Sequence, residues 1–150
     1  MGNFFGQLFS NTVLVAGLCA WAIAQILKSA LYAIVNRRFD PSRLIGDGGF
    51  PSGHSATVTA ASMAALLRYG VGSFEFAVTC IVASVVMHDA MGVRFEAGKQ
   101  AKVINDIVEF FDMDGKDLTD EEKLKELVGH TPIQVGAGFL LGLLVGFFVS

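Results

Sequence analysis

Gly46-Asp47-Gly48-Gly49-Phe50-Pro51-Ser52-Gly53-His54-Ser55-Ala56 separates two long apolar blocks, and the rest of the chain is arranged around it. Its glycines and proline make a turn. Ser52, Gly53, His54 and Ser55 then stand at the threshold of an apolar helix. A helix start presents unpaired N–H groups and the positive end of the helix dipole, which together suit an anion. An imidazole placed there is able to donate a proton near neutral pH. The stretch reads as a phosphate site at a membrane surface. Its plain alternative is a Gly/Pro loop with a serine helix cap.

Outward from this turn the sequence is apolar. The chain has 150 residues, of which 53% are hydrophobic and 17% charged, with a mean hydropathy of +0.55. Soluble domains carry about 25% charged residues. The apolar residues fall in blocks, so the expected fold is an all-α integral membrane protein. About four transmembrane helices are expected, over residues 12–35, 55–71, 74–91 and 132–149, within a single domain 1–150. Residues 92–131 form a soluble loop segment. There Val103, Ile104, Ile107, Val108 and Phe111 repeat at helical spacing, which predicts an amphipathic interfacial helix. Asp112 to Asp117 resembles a calcium loop, but its glycine is at the fourth position where the sixth is needed. It reads as a solvated acidic turn, followed by a short charged helix from Glu121 to Val128. Cys19 and Cys80 sit in apolar blocks as small hydrophobes. No basic region precedes the first apolar block, so no cleaved signal peptide is expected. The net charge of −3 and the lack of a basic stripe argue against nucleic acid as a partner.

Polar residues inside the spans are informative because they are expensive. A lysine in a span costs about 2.5–3.5 kcal/mol on insertion scales. Lys28 shares one face of the first span with Gln25 and Tyr32. It either snorkels to the interface or turns toward a polar site. With four spans, the loops at 36–54 and 92–131 lie on one side and hold nine of the eleven Lys and Arg residues. The positive-inside rule makes that side cytoplasmic, with both termini outside. His54, Arg94 and His130 all fall at span ends on this side, with Lys28 just beneath. Three distant segments converging on one membrane face predict an anion site. The last span carries Gly138, Gly142 and Gly146 at four-residue intervals, a helix-packing stripe. That stripe is one candidate contact for a homodimer.

Pro51-Ser52-Gly53-His54 resembles a signature of the phosphatidic acid phosphatase type 2 and vanadium haloperoxidase superfamily. Gly48 to Ala56, Asp89-Ala90-Met91-Gly92-Val93-Arg94 with Ala97-Gly98-Lys99-Gln100-Ala101, and Glu126 to Pro132 together resemble its small divergent branch. That branch occurs in bacteria and plant plastids and is often labelled acid phosphatase/haloperoxidase-related. The resemblance covers nearly the whole chain. It implies a helical membrane phosphatase that uses no metal or other cofactor and works through a phosphohistidine. It assigns His54 as the acid and leaves His130 as the nucleophile. In the main superfamily the signature lysine is followed two helical turns on by Arg-Pro, whereas Val35 stands there in this chain. The role of His130 rests on its placement at a span end.

Phosphoryl transfer needs charge neutralised on the equatorial oxygens. Lys28 and Arg94, helped by Arg38 or Arg37, are the expected phosphate-binding cations, with Ser52 and the Gly53 N–H completing the cradle. Asp89 or Glu126 is the expected acceptor that orients an imidazole. His88 is a competing imidazole, read as structural. The expected substrate is a lipid phosphate monoester such as phosphatidylglycerophosphate, phosphatidic acid or a polyprenyl phosphate, reached from the bilayer of a bacterial inner membrane or a plastid membrane. The alternative is a non-enzymatic lipid-phosphate binder, flippase or membrane assembly protein using the same cradle.

Overall fold

The computed structural model describes residues 3–38, 49–111, 124 and 129–150. Every regular element among them is helical: α1 Phe4–Ser10, α2 Thr12–Asn36, α3 Gly53–Tyr69, α4 Phe74–Met91, α5 Val93–Phe111 and α6 Pro132–Val149. The caps explain the boundaries. Asn11, Ser52, Ser73 and Thr131 each accept a hydrogen bond from the backbone N–H three residues on, the usual service of an N-cap. α3 stops at Gly70, whose φ of +87° suits glycine. Pro132 opens α6 at a position where its missing N–H costs nothing.

Among the described residues three helical runs are long and apolar enough to cross a membrane: α2, the α4–α5 run Phe74–Val108, and α6. The segment expected as a fourth span forms α3, which is not among these runs: its 17 residues rise only ~26 Å and include Thr57, Thr59, Ser62 and Arg68. Its surroundings account for that composition. α3 packs against α2, α4 and α6, so it meets protein where the other helices meet lipid.

The core is built from alanine. Ala16, Ala20 and Ala24 of α2 face Ala56, Ala60 and Ala64 of α3, all fully buried, with Val145 of α6 closing the cluster. Small side chains let helix backbones approach closely, and in lipid this close packing drives association. The glycine stripe of α6 is part of the same contact. Gly142 lies against Ala56 and Thr59, and Gly146 against Ala60 and Met63. The stripe, one candidate contact for a homodimer, is therefore covered within one chain. Large apolar side chains such as Ile34, Ile81, Val85, Leu140 and Phe148 point outward.

Helix direction brings the polar ends together. Gly138, Gly142 and Gly146 meet α3 in increasing order from Ser52 to Met63, so α6 runs parallel to α3. α2 runs the other way, with Gly17 facing Thr57 and Trp21 facing Gly53. The second half of α2 thus reaches past the start of α3. Its inward face changes character there, from Ala16, Ala20 and Ala24 to Gln25, Lys28 and Ser29, all buried.

α5 leaves the bundle after Gly92 and touches only α4 among the described helices. Ala101 and Asn105 are buried, while Val103, Ile104, Ile107 and Val108 are exposed, the apolar face expected of an interfacial helix. The Asn105 side chain holds the peptide groups of Leu124, donating to its C=O at 2.9 Å and accepting from its N–H at 3.0 Å. Asn105 thereby fixes the return of the chain, a role the sequence reading missed. The acidic turn expected near Asp112 and the charged helix expected from Glu121 lie outside the described residues, Leu124 excepted.

Candidate functional site

His54 and His130, 76 residues apart in sequence, meet at the shared end of α3 and α6. His54 Nδ1 and His130 Nε2 are 3.4 Å apart, and the rings pack edge to face with centroids at 5.7 Å. His54 stands in the first turn of α3 and is half-buried, whereas His130 precedes the α6 cap and is 3% exposed. Both helix N-termini point toward this pair, and their dipoles favour negative charge there.

Backbone bonds hold the arrangement. The His130 N–H donates to the Ala90 C=O at 2.9 Å, tying the entrance of α6 to the end of α4. The Ser52 N–H donates to the Gln134 C=O at 3.0 Å, tying the Pro-Ser-Gly-His turn to the first turn of α6. The Phe50–Pro51 peptide just before it is cis.

Gln134 is the residue the sequence reading overlooked. Its side-chain Oε1 accepts from the Thr131 N–H at 2.9 Å and lies 3.3 Å from His130 Nδ1. Thr131 Oγ1 in turn accepts from the Gln134 N–H. This reciprocal exchange is a capping box, and its sequence signature, Thr-x-x-Gln before an apolar run, was present at Thr131-Pro132-Ile133-Gln134.

Lys28 is 7% exposed and reaches the same turn from α2. Its aliphatic stem lies against Gly49, where a Cβ would sit 3.0 Å from Lys28 Cγ. A pocket of about 240 Å³ opens beside it, lined by Leu31, Tyr32, Val35, Asn36, Gly49 and Phe50 as well as Lys28. Gly49 has φ +95°, which an L side chain adopts only under strain. Gly49→Ala is therefore expected to lower stability by about 1–3 kcal/mol and to displace the lysine stem. A thermal melt in detergent reads the effect on stability.

The other expected site residues divide. Ser52 is fully buried, and its Oγ accepts from the Ser55 N–H at 3.3 Å and the Ser55 hydroxyl at 3.0 Å. Ser52 thus caps α3 at the turn where a phosphate cradle is expected. Its position explains this, since a serine at an N-cap meets the unpaired N–H groups of its own helix first. Gly53 is buried directly after it. Asp89 is half-buried at the end of α4, next to the Ala90 carbonyl that holds His130. Arg94 follows in the first turn of α5, with its side chain outside the described set. Arg37 and Arg38 are exposed beyond the end of α2, and His88 is exposed on α4. Glu126 lies outside the described residues.

No solved structure matches this chain. The uncharacterized membrane protein YuiD of Bacillus subtilis (strain 168) is 43% identical over 148 residues, covering 93% of this chain and 94% of the relative. A family model described as "Divergent PAP2 family" matches residues 9–145. That match includes the Pro-Ser-Gly-His turn, His54, His130, Gly138 and Gly142, and the chain belongs to the Divergent PAP2 family.

Proposed function

We propose that this protein is a membrane-embedded, metal-independent phosphatase acting on lipid phosphate monoesters. The observation that carries the reading is the His54–His130 pair at the meeting of two helix N-termini. In this reading His130 Nε2 attacks phosphorus as the ester P–O bond breaks, and His54 protonates the departing alkoxide. Water then gives a proton to His54 and attacks the phosphohistidine, releasing inorganic phosphate and restoring His130. Lys28 and Arg94 neutralise the equatorial oxygens, with Arg38 and the Gly53 N–H as further donors. Asp89 and Glu126 act as supporting carboxylates.

The pocket beside Lys28 supports an amphiphilic substrate, because Leu31, Val35 and Phe50 give it apolar walls. The nine Lys and Arg residues of the two loops support a cytoplasmic-facing site. That side favours phosphatidylglycerophosphate slightly over phosphatidic acid or a polyprenyl phosphate.

One observation favours a second reading, a lipid-phosphate binder or flippase. The two imidazoles are in direct contact, so a phosphoryl group in line between them requires the rings to part. Phosphate release by the purified protein, in detergent with chelator and against these lipid phosphates, tests the proposal. Release above a protein-free control is expected from at least one of them. Retention of a lipid phosphate with no release from any would overturn the enzyme in favour of the binder.

A further inference from the structure

We propose that Gln134 is a positioning residue that holds the His130 proton on Nδ1 and turns the bare Nε2 toward His54. The Thr131 N–H can only donate, and it lies 2.9 Å from Gln134 Oε1. The side-chain amide is thereby fixed with its oxygen toward residues 130 and 131, since the flipped amide would set two donors against each other. His130 Nδ1 lies 3.3 Å from that same oxygen. An amide oxygen only accepts, so Nδ1 carries the proton. In the neutral ring Nε2 then holds a lone pair. That lone pair faces His54 Nδ1 at 3.4 Å, so His54 donates to it. One backbone N–H thus fixes the hydrogen-bond direction through Gln134 and His130 to His54.

Gln134 is placed to hold this state firmly. Its backbone C=O accepts the Ser52 N–H, and its own N–H is engaged by Thr131 Oγ1. Three of its polar groups are tied to the two segments that carry the histidines. The catalytic meaning rests on the proposed reading of His130 as nucleophile, because a histidine attacks through the nitrogen without a proton. The tautomer itself does not depend on that reading.

The test is 15N NMR of histidine-labelled full-length protein in detergent micelles, with His130 assigned by His130→Gln. A protonated Nδ1 and an unprotonated Nε2 are expected in the wild type at a pH where the ring is neutral. Gln134→Glu keeps an acceptor at the same reach and is expected to keep this tautomer. Gln134→Leu is expected to lose the preference for it. Thr131→Ala weakens the same helix cap but leaves Oε1 in place, and it is expected to keep the tautomer. A wild-type proton on Nε2 would overturn the proposal, as would an unchanged tautomer in a folded Gln134→Leu. If Gln134→Leu does not fold, the wild-type and Gln134→Glu spectra decide. Where phosphate release is measurable, Gln134→Leu is expected to lower kcat by about 10–100-fold, the usual loss when an orienting partner is removed. KM should change little, and Gln134→Glu should restore kcat. The expected spectra without phosphate release would leave the tautomer standing and bring down only the enzymatic reading.

Discussion

Gly142→Leu is expected to abolish the folded state, and Gly142→Ala to destabilise it severely. A Cβ at Gly142 would lie 2.6 Å from the Ala56 carbonyl oxygen, 2.7 Å from Thr59 Cβ and 3.0 Å from the Ala60 backbone nitrogen. Two of these three atoms are helix backbone and cannot turn aside. Relief requires α6 to move away from α3, which would loosen the neighbouring contacts at Gly138 and Gly146. Overpacking in a well-packed core typically costs about 1–3 kcal/mol and occasionally more; here even alanine should reach the upper end. Gly136 supplies the control on the same helix, since a Cβ there meets nothing within 4 Å. By helix propensity alone, Gly→Ala in a helix interior should stabilise by roughly 0.5–1 kcal/mol. The expected result is a thermal transition lowered or lost for Gly142→Ala and held or raised for Gly136→Ala. Equal behaviour of the two variants would mean that α3 and α6 do not pack as described.

The same contact shows how far the sequence could be read. The helices were legible because apolar residues came in blocks punctuated by caps. α6 starts and stops where expected because Thr131-Pro132 is an unambiguous opening. α3 begins two residues before its expected start because Ser52, and not a later serine, supplies the cap. The glycine stripe was recognised as a packing face, but its partner was not. Spacing of small residues says that a helix will approach something closely, while only the fold says whether that is α3 or another copy. Topology places His54, Arg94 and His130 at span ends on one side, but the direct contact of His54 with His130 is visible only in the fold. The oxygen at His130 Nδ1 was harder to foresee. Asp89 and Glu126 are the carboxylates near the histidines in sequence, whereas Gln134 is marked only by the capping box.

His130→Gln is expected to reduce phosphate release by at least about 10³-fold, the scale of loss when a nucleophile that works as part of a unit is removed. The proposed mechanism predicts more than a loss, because it assigns different chemistry to the two members of the pair. His54, as the acid, matters in proportion to how badly the leaving group needs a proton. An alkyl ester departs as a basic alkoxide and needs one, whereas an aryl phosphate departs as a stable phenolate and does not. His54→Gln should therefore cripple turnover of a lipid phosphate and spare much of the turnover of an aryl phosphate. His130→Gln should lose both, because no bond to phosphorus forms without it. Combining the two substitutions should cost little beyond His130→Gln alone, since groups that act as a unit are not additive. Lipid-phosphate binding should persist in both variants if the cationic groups, Lys28 among them, remain in place. Quench of the wild type in alkaline SDS during turnover of a 32P-labelled substrate should trap a base-stable, acid-labile phosphoprotein that His130→Gln lacks. If instead the two variants lose activity in the same ratio on both esters, the division into acid and nucleophile fails. If the label stays in His130→Gln and disappears in His54→Gln, the roles are exchanged, and His54 is the residue that carries the phosphoryl group.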